Sequence, residues 1–321
     1  MSSRRRHRRL DIPRPFLWRP GVGPHAGCMQ RMRANVRRPV EAMGEAWFMG
    51  ESRLMYDLLF GNLEELPLDK LREPLETIAS GNSSFGPMDE WTHWYHYLLA
   101  QLVARHAEHS SFDSLYQHLI TAFIAVHPRG IDEPYPGFAD DAVQTLGRSL
   151  MDPSRWITDR LAVSTADDRS ADERCRAFDW SVTCGDFSAG MFFCAKYLEE
   201  DDLDAWLDSV FTIQCPLWTT QLYCWLLAAH PLLAGRVLEL ARLDPDPWSN
   251  VVWDGAHVLR GNFTGIYLLP PDRCEAVMAA ARRHVSEISF FAWLDGIKAH
   301  AELEAMLYGM PSRFAEVFDV G

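Results

Sequence analysis

The stretch that decides the fold is WTHWYHYLLAQL, residues 91–102, in which Trp91, Trp94, Tyr95, Leu98, Leu99 and Leu102 recur at i, i+3, i+4, i+7, i+8 and i+11. That spacing puts the large apolar groups on one face of an α-helix, as a core-facing helix requires. The pattern repeats at once: Phe112, Leu115, Tyr116, Leu119, Phe123 and Ile124 make a second stripe. Ser110–Ser111 are candidate caps before it, and His127–Pro128 and Gly130 close it. Only a few residues separate the stripes, so the sequence predicts an antiparallel helical hairpin.

Working outward, helical segments are expected at about 40–60, 68–80, 139–151, 154–163, 172–183, 187–199, 202–214, 217–229, 231–243, 272–285 and 287–308. Prolines at 67, 128, 153, 216, 231, 245, 247 and 270 punctuate them. No alternating run demands a sheet, although Val251–Trp253 and Gly265–Leu269 leave short strands open. The expectation is an all-α protein, built either as an irregular HEAT-like array of antiparallel hairpins or as a compact multi-helix domain. Weak echoes (Phe112–Leu115 with Leu203–Trp206, Val126–Pro128 with Ala229–Pro231) have unequal offsets and define no period. A polar segment at Ser164–Arg169 divides the body into halves at 40–163 and 170–321, expected to pack as one unit.

The chain has 321 residues and a net charge of −13, distributed unevenly. Residues 1–40 hold eleven arginines and one acid, about +10, and the remainder carries −23. An acidic body repels nucleic-acid backbones and attracts basic partners. Residues 1–39, rich in Arg, Pro and Gly, show no apolar period and are expected to be structureless alone. Three readings compete for this head: an arm for nucleic acid or another acidic surface, a tail lying on its own acidic body, or a gene-start artefact in an Arg-biased coding sequence. The bias shows in three lysines against 28 arginines, and Met29, Met32 and Met43 are later starts. No apolar segment follows the arginines as in a secretory signal, so a cytoplasmic location is expected. Cys175, Cys184, Cys194, Cys215 and Cys224 stand nine to twenty-one residues apart with no Cys-x-x-Cys, so most should be buried thiols. Leu217–Leu233 is the most apolar stretch, but Thr219, Thr220, Gln221 and a His230–Pro231 break make it a buried helix rather than a membrane span.

Chemical motifs are sparse. Glu90, His93 and His96 have the Glu-x-x-His spacing of carboxylate-bridged metal sites. No second Glu-x-x-His exists, and Asp254-x-x-His257 is the nearest approach. His93 and His96 are both expected opposite the apolar stripe, in solvent, as weak metal candidates. Asp140–Asp141 and Asp167–Asp168 lack the Asp-Asp-x-x-Asp spacing of magnesium sites. No phosphate-binding loop, nucleophile elbow, zinc peptidase motif or dinucleotide fingerprint occurs, and no cofactor is expected. The run Glu199, Glu200, Asp201, Asp202 with Asp204 reads as a solvated turn between helices, with Asp201 or Asp202 capping the next helix. It is the expected electrostatic patch.

Twelve tryptophans are the unusual feature. Trp47, Trp91, Trp94, Trp206, Trp225 and Trp293 lie in apolar stripes, where Trp ordinarily fills a core; Trp91, Trp94 and Tyr95 are core candidates. An exposed Trp would instead anchor a protein partner or stack on a sugar. The expected function is a protein–protein interaction module whose acidic body binds a basic protein, as an immunity or inhibitor protein does. The alternative is an all-α enzyme using Asp, Glu and His on a metal or a sugar.

Overall fold

A computed structural model describes residues 21–47, 55–110, 113–152, 185–213, 215–243, 251–259, 268–297 and 307–318. Two helices, α4 (Leu115–Val126) and α8 (Pro216–Leu233), form the inner layer. All twelve residues of α4 are buried, and from Trp218 to Leu233 α8 is buried on nearly every side. A helix apolar all round is a core element. None of the helices among the described residues is long and apolar enough to cross a membrane.

In the first half, α2 (Leu68–Phe85) packs along α4, and α3 (Asp89–Leu102) leans on both. The expected stripe holds: Trp91, Trp94, Tyr95, Leu98, Leu99 and Leu102 are all buried. Tyr95 donates its hydroxyl to the Leu119 carbonyl at 2.7 Å, tying α3 to α4. A two-residue hairpin of β1 (His109–Ser110) and β2 (Asp113–Ser114) precedes α4, so Ser114, not Ser110 or Ser111, stands at its N-cap. Helix α5 (Phe138–Ala142) passes into a π-turn at Val143–Gly147 and a 3-10 turn at Arg148–Met151.

The second half adds α6 (residues 185–197), α7 (Glu200–Thr212), α9 (Pro271–His284), α10 (Glu287–Ile297) and α11 (Met310–Phe318) around α8. Gln117 donates to Asp186 at 2.9 Å, Trp253 to Thr121 at 2.8 Å, and Tyr197 to the His127 carbonyl at 2.8 Å. Each joins α4 or its C-cap to the second half, so the two halves share one core. The fold is all-α in a compact multi-helix arrangement.

Several expected elements differ. The head was expected to be structureless to residue 39, yet Ala26–Asn35 form α1. Its Cys28 and Met32 are buried, and His25 caps it by accepting the Cys28 N–H. Arg31 donates through both Nε and Nη2 to Asp141, a carboxylate only 1% exposed that also accepts from Tyr135 at 2.7 Å. Arg33 donates to the carbonyls of Ala100 and Gln101 at the end of α3. A helix too polar to declare itself by period is thus held by two arginines reaching buried acceptors.

The helix expected over 40–60 is absent from its described part. Gly44 pairs with Met55 in an isolated bridge, and only Asp57–Phe60 turn, as a 3-10 helix. Pro231 does not break α8, which continues to Leu233 and stops where Gly235 takes φ +68, so no separate helix spans 231–243. The missing Pro231 N–H costs one ladder bond, which dense packing around the helix offsets. Residues 251–259 contain turns and a 3-10 helix at Ala256–Val258, with no strand. The segments expected at 154–163 and 172–183, and the joint at Ser164–Arg169, lie outside the described residues.

Candidate functional site

Trp47 lies outside any helix, contrary to the stripe expected for it, and is 59% exposed. Its ring meets Phe85, the last residue of α2 and itself exposed, edge to face at a centroid distance of 5.8 Å. Met55, whose backbone bridges to Gly44, and Met88, three residues beyond Phe85, are exposed as well. Trp47 and Phe85 thus form an exposed aromatic pair, with two exposed thioethers on backbone adjoining it in the chain.

The sequence fixes this surface from below. Gly44 is gripped from α3 on both its polar groups: Glu90 Oε1 accepts its N–H at 2.6 Å, and Trp91 Nε1 donates to its carbonyl at 3.2 Å. Trp94 holds the Glu41 carbonyl likewise at 3.1 Å. The Trp91 ring lies so close to Gly81 that a Cβ there would fall 2.6 Å from it, and 2.9 Å from the Ala46 methyl. Tyr56, next to Met55, donates its N–H to Met43 and pairs its hydroxyl with Thr77 of α2 at 2.8 Å. Gly86 takes φ +84 to end α2, and Asn82 Oδ1 accepts the Met88 N–H, so Phe85 and Met88 flank a fixed turn. The backbone before Trp47 and around Phe85 is thus tied to α2 and α3 by hydrogen bonds.

Acidic residues are frequent in the sequence around these side chains. Burial raises the Tyr56 phenol pKa, its hydrogen bond with Thr77 lowers it, and the charges of Glu73 and Glu45 raise it further. Asp89 is exposed next to Met88. Residues 41–110 carry twelve acids against four bases, a net of −8.

The expected acidic patch is placed differently. Helix α7 begins at Glu200 with Glu199 at its N-cap position, so Asp201 and Asp202 stand inside the first turn rather than at the cap. Glu199 is exposed and Asp202 half-buried, while the side chains of Glu200 and Asp201 lie outside the described set. Asp204 pairs with Arg283 at 2.8 Å and Asp208 with His284 at 2.7 Å, so the last turn of α9 offsets part of this charge. Acids in a first helical turn also favour the helix dipole, a structural use that asks for no partner.

Glu90, His93 and His96 are not brought together. Glu90 holds Gly44, and His93 is exposed as expected. His96 is buried, contrary to the expectation that it faces solvent, and its ring stacks on His127 with Nε2 atoms 3.1 Å apart. At i+6 from Glu90 it has turned away toward Phe138, whose ring it meets edge to face at 4.9 Å. The Asp132 N–H donates to His127 Nδ1, so a neutral His127 carries its proton on Nε2 and gives it to His96 Nε2. His96 then holds its own proton on Nδ1, which has no partner. Burial lowers both pKa values, His96 to about 4 and His127 to about 3, each helped by a neighbouring imidazole. Among the described residues no three His, Cys, Asp or Glu side chains converge as a metal site.

Sequence reasoning named Trp47 but missed Met55, Phe85 and Met88. The signal for Phe85 was present: Leu71, Leu75, Ile78, Asn82 and Phe85 continue one seam at i, i+4, i+7, i+11 and i+14, past the residue 80 at which the helix was expected to end. Comparison with protein families, curated proteins and solved structures gives no match for this chain.

Proposed function

We propose that this protein is a protein-binding module for a basic partner, docking an apolar segment of that partner on Trp47, Met55, Phe85 and Met88. The observation that carries this reading is the exposed Trp47–Phe85 pair, which lies within a stretch of sequence, residues 41–110, of net charge −8. Tryptophan dominates interface hot spots, and methionine adapts its shape to varied apolar partners. Carboxylates at the rim favour Lys and Arg on the partner and raise the rate of encounter more than the final affinity. A body carrying −23 in total supports the same polarity of partner. A cytoplasmic location fits five described cysteines that are all buried free thiols.

The test uses a fluorescent amphipathic peptide with leucine on one helical face and lysine on the other, titrated with the full chain and followed by anisotropy. Binding should weaken at least about tenfold when salt rises from roughly 50 to 500 mM, as the screening length falls below contact range. Trp47→Ala with Phe85→Ala should abolish it while leaving the circular dichroism unchanged. Equal binding of the counterpart peptide with glutamate in place of lysine would overturn the charge assignment.

A further inference from the structure

The second half holds a half-open cavity of about 400 Å³ between the C-terminal end of α8, the turn that follows it, and one face of α9. Small-molecule sites commonly run from roughly 300 to 1,000 Å³ and are apolar with a few convergent polar groups. Leu232, Leu233, Leu269 and Met278 supply apolar wall. Leu238, 52% exposed, stands at the mouth. Cys274 also belongs to the wall: burial and the charge of Asp272 push its thiol up to about 11, so it is no nucleophile at neutral pH.

One polar side chain is left for an occupant. His230 lines the cavity but is 5% exposed, and its unpartnered Nδ1 is covered by protein atoms, out of an occupant's reach. Arg282, exposed at the cavity, forms no ion pair among the described residues, although Arg283 and His284 beside it are paired with Asp204 and Asp208. Arg236 and Arg313, the other cations acting on His230, share the single carboxylate of Glu316 at 3.6 and 2.8 Å. Glu275 also lines the cavity, but it precedes Arg282 by seven residues, about 10 Å along the helix. The cavity wall thus carries positive charge at Arg282 and negative charge at Glu275.

We propose that this cavity binds a small amphipathic carboxylate, its hydrocarbon body against Leu232, Leu233, Leu269 and Met278 and its head on Arg282. The site is separate from the Trp47 surface, which lies in the first half.

Isothermal titration of the full chain with octanoate, 1-octanol and octylammonium tests this. Octanoate should bind one to one, at least about tenfold more tightly than either of the others. Arg282→Gln, an exposed substitution, should remove that preference, and Met278→Trp should fill the cavity and abolish binding. Should Met278→Trp lose its helical dichroism, Arg282→Gln and the comparison of head groups still decide. Equal affinity for 1-octanol and octanoate would overturn the head-group assignment. An octanoate affinity that neither variant changes, or no binding of octanoate at millimolar concentration, would overturn the site.

Discussion

Acidification should unlock the buried histidine pair, and the effect can be worked from its geometry. His96 and His127 are folded as neutral imidazoles with pKa values of about 4 and about 3, against 6.5 in the unfolded chain. Folded values below unfolded ones mean that their contribution to stability is fully present above about pH 6.5 and is lost as pH falls toward 4 and below. At about pH 5 the unfolded chain has taken up nearly two protons that the folded protein refuses. Each costs about 2 kcal/mol, so the pair costs about 4 kcal/mol relative to pH 8, a large share of a typical stability. His96→Leu removes one of the two titrations. Urea unfolding across a pH series, on the protein and this variant, reads the difference in slope, and groups common to both, including His25 and His230, cancel. The variant's unfolding free energy should fall less steeply between about pH 6 and 5, by about 1.4 kcal/mol per pH unit, one proton's worth. Parallel slopes would refute the account of the pair.

Gly81→Ala should cost about 1–3 kcal/mol in urea unfolding, because its Cβ would fall 2.6 Å from the Trp91 ring, with the Ala46 methyl behind. Arg31→Met should lower the denaturation midpoint, by roughly 1–3 kcal/mol, since it leaves the buried Asp141 with the Tyr135 hydroxyl in place of its guanidinium. A chain begun at Met43 lacks α1, uncovers the α3 and α5 surfaces that α1 packs on and strips Asp141 of Arg31, so it should unfold at a clearly lower temperature than the full chain in calorimetry. Trp47→Ala should change stability by less than about 1 kcal/mol, because its side chain is mostly in water, and it should abolish binding of the leucine–lysine peptide.

The helices that announced themselves in the sequence are those whose stripe faces a core along their whole length. α3 and α4 were legible because tryptophan, tyrosine and leucine recur at helical spacing and every one is buried. α1 was not, because only Cys28 and Met32 enter the core and its hold depends on Arg31 reaching a carboxylate 110 residues away. His96 misled for a related reason. A polar residue off the apolar stripe ordinarily meets solvent, but α3 is covered on a second face, and His127 receives the imidazole there. Pro231 shows the limit of local punctuation: one lost hydrogen bond does not end a helix that is buried on nearly every side. The candidate surface was half legible. Trp47 stood out by composition, but the backbone before it is held by Glu90, Trp91 and Trp94 of α3, contacts between distant residues that no local pattern encodes.

The most direct test of the central claim is capture from the source organism with the full chain at low salt, run in parallel with the Trp47→Ala, Phe85→Ala variant. A basic protein retained in stoichiometric amount by the unaltered chain, released by salt and absent from the variant, is the predicted result. Retention of the same proteins by the variant would contradict the assignment of this surface.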